Sequence, residues 1–113
     1  MKPVRFHPWA ELEILEAQLY YRDRSDVAAQ AFALEMDHAF AAIAESPERW
    51  LKVSGEVRRY VLRRFPYNVL YRFESDRVFV TAIAHQSRRP GYWYGRWLAR
   101  SKAMQTDSPS GRR

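Results

Sequence analysis

Apolar residues recur along this chain in two rhythms, and the change between them divides it. From Pro8 to Ser46 the spacing is helical. Pro8 suits a first helical position, and Glu11 in the first turn complements the helix dipole. Leu12, Leu15 and Leu19 repeat at three- and four-residue intervals with Ala and Tyr20 beside them, while Glu11, Glu13, Glu16 and Arg22 form a polar side. Asp23-Arg24-Ser25-Asp26 interrupts the pattern, and Ser25 or Asp26 can cap a second helix that runs to Ser46 and is ended by Pro47. Phe32, Met36, Ala39 and Ile43 share one face of it. So short a link makes the two helices antiparallel neighbours with one shared apolar face. Ahead of them Val4-Arg5-Phe6, held between Pro3 and Pro8, is a short extended segment suited to a sheet edge.

Beyond Pro47 the segment from Glu48 to Glu56 reads as a loop whose Trp50 plugs the edge of the domain. From Val57 the period becomes that of strands. Three are expected, Val57 to Arg63, Tyr67 to Glu74 and Arg77 to Gln86, with a corner at Phe65-Pro66 and a tight turn at Ser75-Asp76. A regular two-residue hairpin on that turn pairs Glu74 with Arg77, Phe73 with Val78, Tyr71 with Val80, Val69 with Ala82 and Tyr67 with Ala84. The face carrying the last four pairs is wholly apolar and needs the helical hairpin as its cover. The other face, with Arg72 opposite Phe79, Leu70 opposite Thr81, Asn68 opposite Ile83 and Pro66 opposite His85, is mixed and is expected to be open.

The fold class is therefore α+β: a short N-terminal strand, an antiparallel helical hairpin on one face of a mainly antiparallel sheet of three to four strands, and a short C-terminal helix from Tyr92 to Arg100. Residues 1–100 read as one domain and 101–113 as a disordered basic tail.

Charge adds a direction to this picture. Residues 1–50 carry five basic and nine acidic side chains, and residues 51–113 carry fourteen and four, so a net of −4 is followed by a net of +10. Twelve of those fourteen cations are arginine, whose planar fork suits phosphate and carboxylate. The expected partner is acidic or polyanionic. Arg58, Arg59, Arg63, Arg64, Arg72, Arg88 and Arg89, interleaved with Tyr60, Tyr67, Tyr92, Trp93 and Tyr94, resemble the mixture of phosphate clamps and stacking rings that binds single-stranded nucleic acid. Tyr67 and Trp93 read better as packing residues.

Candidate chemistry narrows to few groups. The chain has no cysteine, which leaves no disulfide, thiolate ligand or thiol nucleophile to propose. Phosphate-loop, zinc-hydrolase and serine-elbow motifs are also lacking, and no cofactor or metal is implied. The N-terminus lacks the apolar run of a signal peptide and no stretch is long enough to span a bilayer, so no membrane association and a cytoplasmic location are expected. Of three histidines, His7 and His38 read as structural or without a role. His85 ends a strand three residues before Arg88, where arginines disfavour the cationic imidazole and leave a neutral ring able to accept a proton. A hydrogen-bonded strand-end histidine is the equal alternative.

The order of these pieces resembles the RelE/ParE toxin superfamily. The resemblance rests on Ala17-Gln18-Leu19-Tyr20-Tyr21, on Ala31-Phe32 and Ile43 with Ser46-Pro47, on Arg63-Arg64-Phe65-Pro66-Tyr67-Asn68-Val69-Leu70-Tyr71, and on Ala82-Ile83-Ala84-His85 followed by Arg88-Arg89-Pro90-Gly91-Tyr92-Trp93. It implies the toxin of a type II toxin-antitoxin, or plasmid-stabilisation, system, inhibiting growth until a cognate antitoxin wraps it in a hetero-oligomer. RelE-type members cleave messenger RNA on the ribosome; ParE-type members poison DNA gyrase. For a metal-independent endoribonuclease the resemblance implies Arg59, His85, Arg88 and Tyr94, or Tyr92 in its place, as the catalytic set. Arg58, Arg63, Arg64, Arg72 and Arg89 are then the anion- or target-binding residues. Where ribonucleases carry an arginine in the central strand this chain has Asn68, and its long helical hairpin and Ala-Ile-Ala-His strand end look more like ParE. Gyrase is the leading expectation, messenger RNA cleavage the alternative, and a non-toxic basic RNA-binding domain the third.

Overall fold

His7 and Ser25 set the limits of the helical layer. In the computed structural model, which describes residues 1–96, His7 is extended and its Nδ1 accepts the Trp9 amide at 3.0 Å. It thereby caps α1 (Pro8–Arg24), whose first residue is the expected proline. Ser25 alone links the helices. Its amide donates to the Tyr21 carbonyl at 2.8 Å and closes α1, while its Oγ accepts the Ala28 amide at 3.2 Å and opens α2 (Asp26–Glu45). A one-residue link leaves the helices no choice but to fold back on each other.

Among the described residues five strands make the sheet: β1 (Val4–Phe6), β2 (Lys52–Ser54), β3 (Val57–Val61), β4 (Tyr67–Glu74) and β5 (Arg77–His85), in the spatial order β1-β5-β4-β3-β2. Only β1 runs parallel to its neighbour. Strand β2 lies within the segment expected to be loop; it forms a small hairpin with β3 around Gly55, where a φ of +53° favours glycine. Trp50 packs against the core beside Tyr60, as its size demanded.

The β4-β5 turn is as expected. Ser75 and Asp76 have φ of 53° and 63°, two consecutive left-handed residues that match the twist of a hairpin. The register follows the regular pattern only as far as Tyr71 opposite Val80. There Thr81 is inserted as a β-bulge, and the next pairs are Leu70 with Ala82, Val69 with Ile83, Asn68 with Ala84 and Tyr67 with His85. The shift corrects the expected faces. Ile83, not Ala82 or Ala84, joins Val69, Tyr71, Val78 and Val80 beneath the helices, together with Phe32, Met36, Ala39 and Ile43 of α2. Ala82, Ala84 and Leu70 turn to the other face, where Trp93 covers them. That face is consequently not the open mixed surface the regular register implied.

Helix α1 also departs from expectation. The residues it buries are Ala10 and Ala17, with Ile14 and Tyr21 packed against the core. Leu12, Leu15 and Leu19, the stripe that sequence spacing placed inside, are about half exposed at 53%, 52% and 47%. Small side chains let α1 approach the sheet closely, and the bulkier leucines then take the outer side. On the opposite border, Tyr71 is fully buried and donates its hydroxyl to the Pro47 carbonyl at 2.7 Å, tying the end of α2 to the sheet. Burial pushes that hydroxyl up to about 12.

This division of α1 and α2 into inner and outer faces is directly measurable. Phe32→Ala is expected to cost about 3–5 kcal/mol in chemical denaturation, whereas Leu15→Ala changes stability by less than about 1 kcal/mol, because only the first leaves a cavity.

Candidate functional site

The outward face of the sheet is built by alternation. Antiparallel pairing sets Arg59 of β3 opposite Leu70 of β4, and Asn68 of β4 opposite Ala84 of β5. The chain then leaves β5 and arches back over this face through short turns, with Arg88, Tyr92, Tyr94 and Arg96 donating their amides to the carbonyls of His85, Arg89, Gly91 and Trp93. Gly91 is needed for the arch: its φ is +81°, and a Cβ there would lie 2.8 Å from the Tyr94 ring. Trp93, 5% exposed, drops onto Leu70, Ala82, Ala84 and Val57. Of the helix expected from Tyr92 to Arg100, residues 92–96 fall within the described residues, where 92–93 are still in a turn and 94–96 are helical; the rest of that helix and the 101–113 tail lie outside them.

Between the arch and the strands is a cleft of about 420 Å³. Its walls bring together Arg59, His85, Arg88, Arg89 and Tyr94 with Asn68, Gln86 and Ser54, and among the described residues no carboxylate lines it. Three arginines line this hollow and give it a positive charge suited to an anion. The Arg88 guanidinium stacks 3.9 Å from the centre of the Tyr92 ring, which fixes the direction of its donors. Gln86 Nε2 donates to Asn68 Oδ1 at 3.4 Å across the floor.

The two groups considered for proton transfer are both engaged. His85 Nδ1 accepts the Ser87 amide at 3.0 Å and lies 2.8 Å from Ser87 Oγ, so a neutral ring carries its proton on Nε2. Its ring makes a T-shaped contact with that of Tyr67, with centroids 5.0 Å apart. The Tyr94 hydroxyl is hydrogen-bonded to Ser54 Oγ. Among the described residues no group of three or more His, Asp or Glu side chains could hold a metal ion.

The other arginines singled out from sequence lie elsewhere. Arg58 points away from the cleft and donates Nη1 to the carbonyls of Trp50, at 2.7 Å, and Glu48, at 3.1 Å. The amides of Arg63 and Arg64 both donate to Glu35 of α2, and Arg64 Nε reaches the same carboxylate. Arg72 is buried on the outward face beyond Trp93 and donates to Glu74 at 2.8 Å. These four do not line the cleft.

One carboxylate that sequence reasoning had assigned to the wet side of α1 organises the arch. Glu13 Oε1 accepts the Ile83 amide at 2.9 Å and Arg96 Nη1 at 2.8 Å; its Oε2 accepts the Tyr92 hydroxyl at 2.7 Å and Arg96 Nη2 at 2.6 Å. The Glu13 and Arg96 side chains are 11% and 8% exposed. Burial opposes the Arg96 charge, but hydrogen bonding to Glu13 and its negative charge outweigh it and raise the group above its ordinary value. Burial first, and then the hydrogen bond to Glu13, push the Tyr92 hydroxyl well above its ordinary 10.0. A signal was present in the sequence: Glu13 lies among Ala10, Ile14 and Ala17, a lone carboxylate within what is otherwise an apolar series at helical spacing.

The model of a protein family described as the ParE toxin of type II toxin-antitoxin systems matches residues 4–90. The chain belongs to the ParE toxin family. It is thus the toxin of a type II toxin-antitoxin pair, with an antitoxin as its counterpart, rather than a plain RNA-binding domain. Among solved structures, the crystal structure of the isolated E. coli RelE toxin shares its fold, with a TM-score of 0.54 over 89% of this toxin and 99% of that one at 17% sequence identity. No curated protein sequence matches the chain. No described helix of the toxin is long and apolar enough to cross a membrane.

Two measurements test how the arch is held. Glu13→Gln leaves the buried Arg96 without its counter-charge and is expected to cost about 3 kcal/mol, with a loss of near-ultraviolet circular dichroism from Trp93 as the arch loosens. The raised hydroxyls set an alkaline limit. An unfolded tyrosine releases its proton near pH 10, whereas Tyr92 and Tyr71 hold theirs in the fold, so stability is complete below about pH 10 and falls as pH rises above it. Denaturant unfolding between about pH 9 and pH 11 should show that fall, and Tyr92→Phe should flatten it.

Proposed function

We propose that this toxin arrests growth in the cytoplasm by binding DNA gyrase through the arginine cleft, and that its cognate antitoxin neutralises it in a hetero-oligomer by laying an acidic segment over the same basic surface. The observation that carries this reading is the state of the polar groups in the cleft. Arg59, Arg88 and Arg89 face a hollow without carboxylates, while the accepting nitrogen of His85 is taken by Ser87 and the Tyr94 hydroxyl by Ser54. Such a site holds an anionic group well and has no disengaged base with which to activate a ribose hydroxyl. Asn68, which lines the cleft, adds a neutral amide where a cleavage site would gain from a further cation. Membership of the ParE family favours the same target.

A second reading, metal-independent cleavage of messenger RNA on the ribosome, is favoured by one observation. Arg59, His85, Arg88 and Tyr94 share one cleft although they come from β3, the end of β5 and the arch. Induced expression separates the two. Gyrase-dependent DNA breaks with intact transcript ends are expected, the breaks being suppressed by co-expression of a cognate antitoxin, and Arg88→Ala should weaken binding to gyrase by about tenfold or more. Codon-phased transcript cleavage that disappears in Arg88→Ala would sink the gyrase reading.

A further inference from the structure

Helix α1 is apolar on two opposite sides. At 3.6 residues per turn, Leu12, Leu15 and Leu19 lie about half a turn away from Ala10, Ile14, Ala17 and Tyr21, the residues that face the core. The helix makes its packing contacts with α2 and β5, and the three leucines stay about half exposed. Their intervals of three and four residues form the narrow seam through which helices pair as coiled coils, rather than the broad stripe by which a helix rests on a core.

The flanks of the seam say what kind of helix fits. With Leu12 and Leu19 at a and Leu15 at d of a heptad, Glu11 and Gln18 fall at g, and Glu16 and Asp23 at e, while Arg22 takes the next d and ends the apolar seam at Leu19. Glu11, Glu16 and Asp23 are exposed. A second copy of the chain is a poor occupant. Parallel pairing would set Glu11 against Glu16, and antiparallel pairing would set Glu16 against Glu16 or Asp23, so acids meet acids in either direction.

We propose that the outer seam of α1 docks a helix of a partner protein, one with a leucine-type seam flanked by lysine or arginine. The surface lies on the side of the helical layer away from the sheet, while the arginine cleft opens on the sheet's other face. Both can be occupied at once, and the inference is independent of the toxin's target. The net charge of +6 means that a basic partner gains nothing from the chain as a whole. Preference for such a partner is therefore a property of the local acids.

The full chain is titrated against two labelled three-heptad peptides with leucine at a and d, one with lysine and one with glutamate at e and g, and binding is read by fluorescence anisotropy. Net charge alone would favour the glutamate peptide. The lysine peptide is expected to bind about tenfold more tightly, with Leu15→Asp removing its binding and Glu16→Lys shrinking the preference. Glu16→Lys, an exposed change on a helix, keeps the test decisive should Leu15→Asp perturb folding. Equal binding, stronger binding of the glutamate peptide, or indifference to both variants overturns the proposal. Sedimentation equilibrium showing a dimer of the chain that Leu15→Asp disperses would overturn it in favour of a second copy.

Discussion

Strand β1 pairs with β5 only from Val78 to Val80, and the rest of that edge must be satisfied by something other than a strand. The chain turns into α1 at Pro8, and the His7 amide takes the Val80 carbonyl at 2.9 Å as the last backbone bond on this side. Beyond it, Glu13 accepts the Ile83 amide and Arg96 donates to the Thr81 carbonyl at 3.4 Å. An ion pair thus substitutes for the missing length of β1. Unpaired backbone groups on a buried edge would each cost about 1–3 kcal/mol, which gives the pair a reason to be buried despite the cost of desolvating two charges.

The candidate surface depends on this substitution. Arg96 reaches Glu13 only if the chain has already arched over the outward face, and the arch carries Arg88, Arg89 and Tyr94 to the cleft while Trp93 seals the strands beneath. The Thr81 bulge belongs to the same arrangement. It turns Ile83 inward to the core and its amide outward to Glu13, and it sends Ala82 and Ala84 to the face where small side chains leave room for the indole. Core packing, edge satisfaction and cleft geometry are linked through one inserted residue.

Much of this fold is legible in the residue pattern. The helical hairpin follows from period and from Ser25, which caps both helices; the β4-β5 turn follows from Ser75-Asp76; and the core face of α2 lies where Phe32, Met36, Ala39 and Ile43 repeat. Arg59, His85, Arg88 and Tyr94 are named together by the family resemblance, and Arg89 belongs to the wider arginine set that residue type picks out. Arg58, Arg63 and Arg64 were indistinguishable from them by that criterion, since residue type reveals chemistry and not which backbone carbonyl or carboxylate lies within reach.

By itself, then, the sequence determined the two helices, four of the five described strands and their order, the cover of one sheet face by helices, and the presence of an arginine-rich end. Those are consequences of local propensity and of periodicity, which need no partner to operate. Only the tertiary structure decided which face of α1 is buried, where β5 slips by one residue, and which arginines meet. Each of these is a competition between alternatives that look alike along the chain. Alanines win the inner face of α1 because close approach to the sheet matters more there than the greater apolar area of leucine. Thr81 is inserted because that lets Ile83 fill the core and lets Glu13 with Arg96 complete an edge, Glu13 lying more than half the chain away from both Ile83 and Arg96.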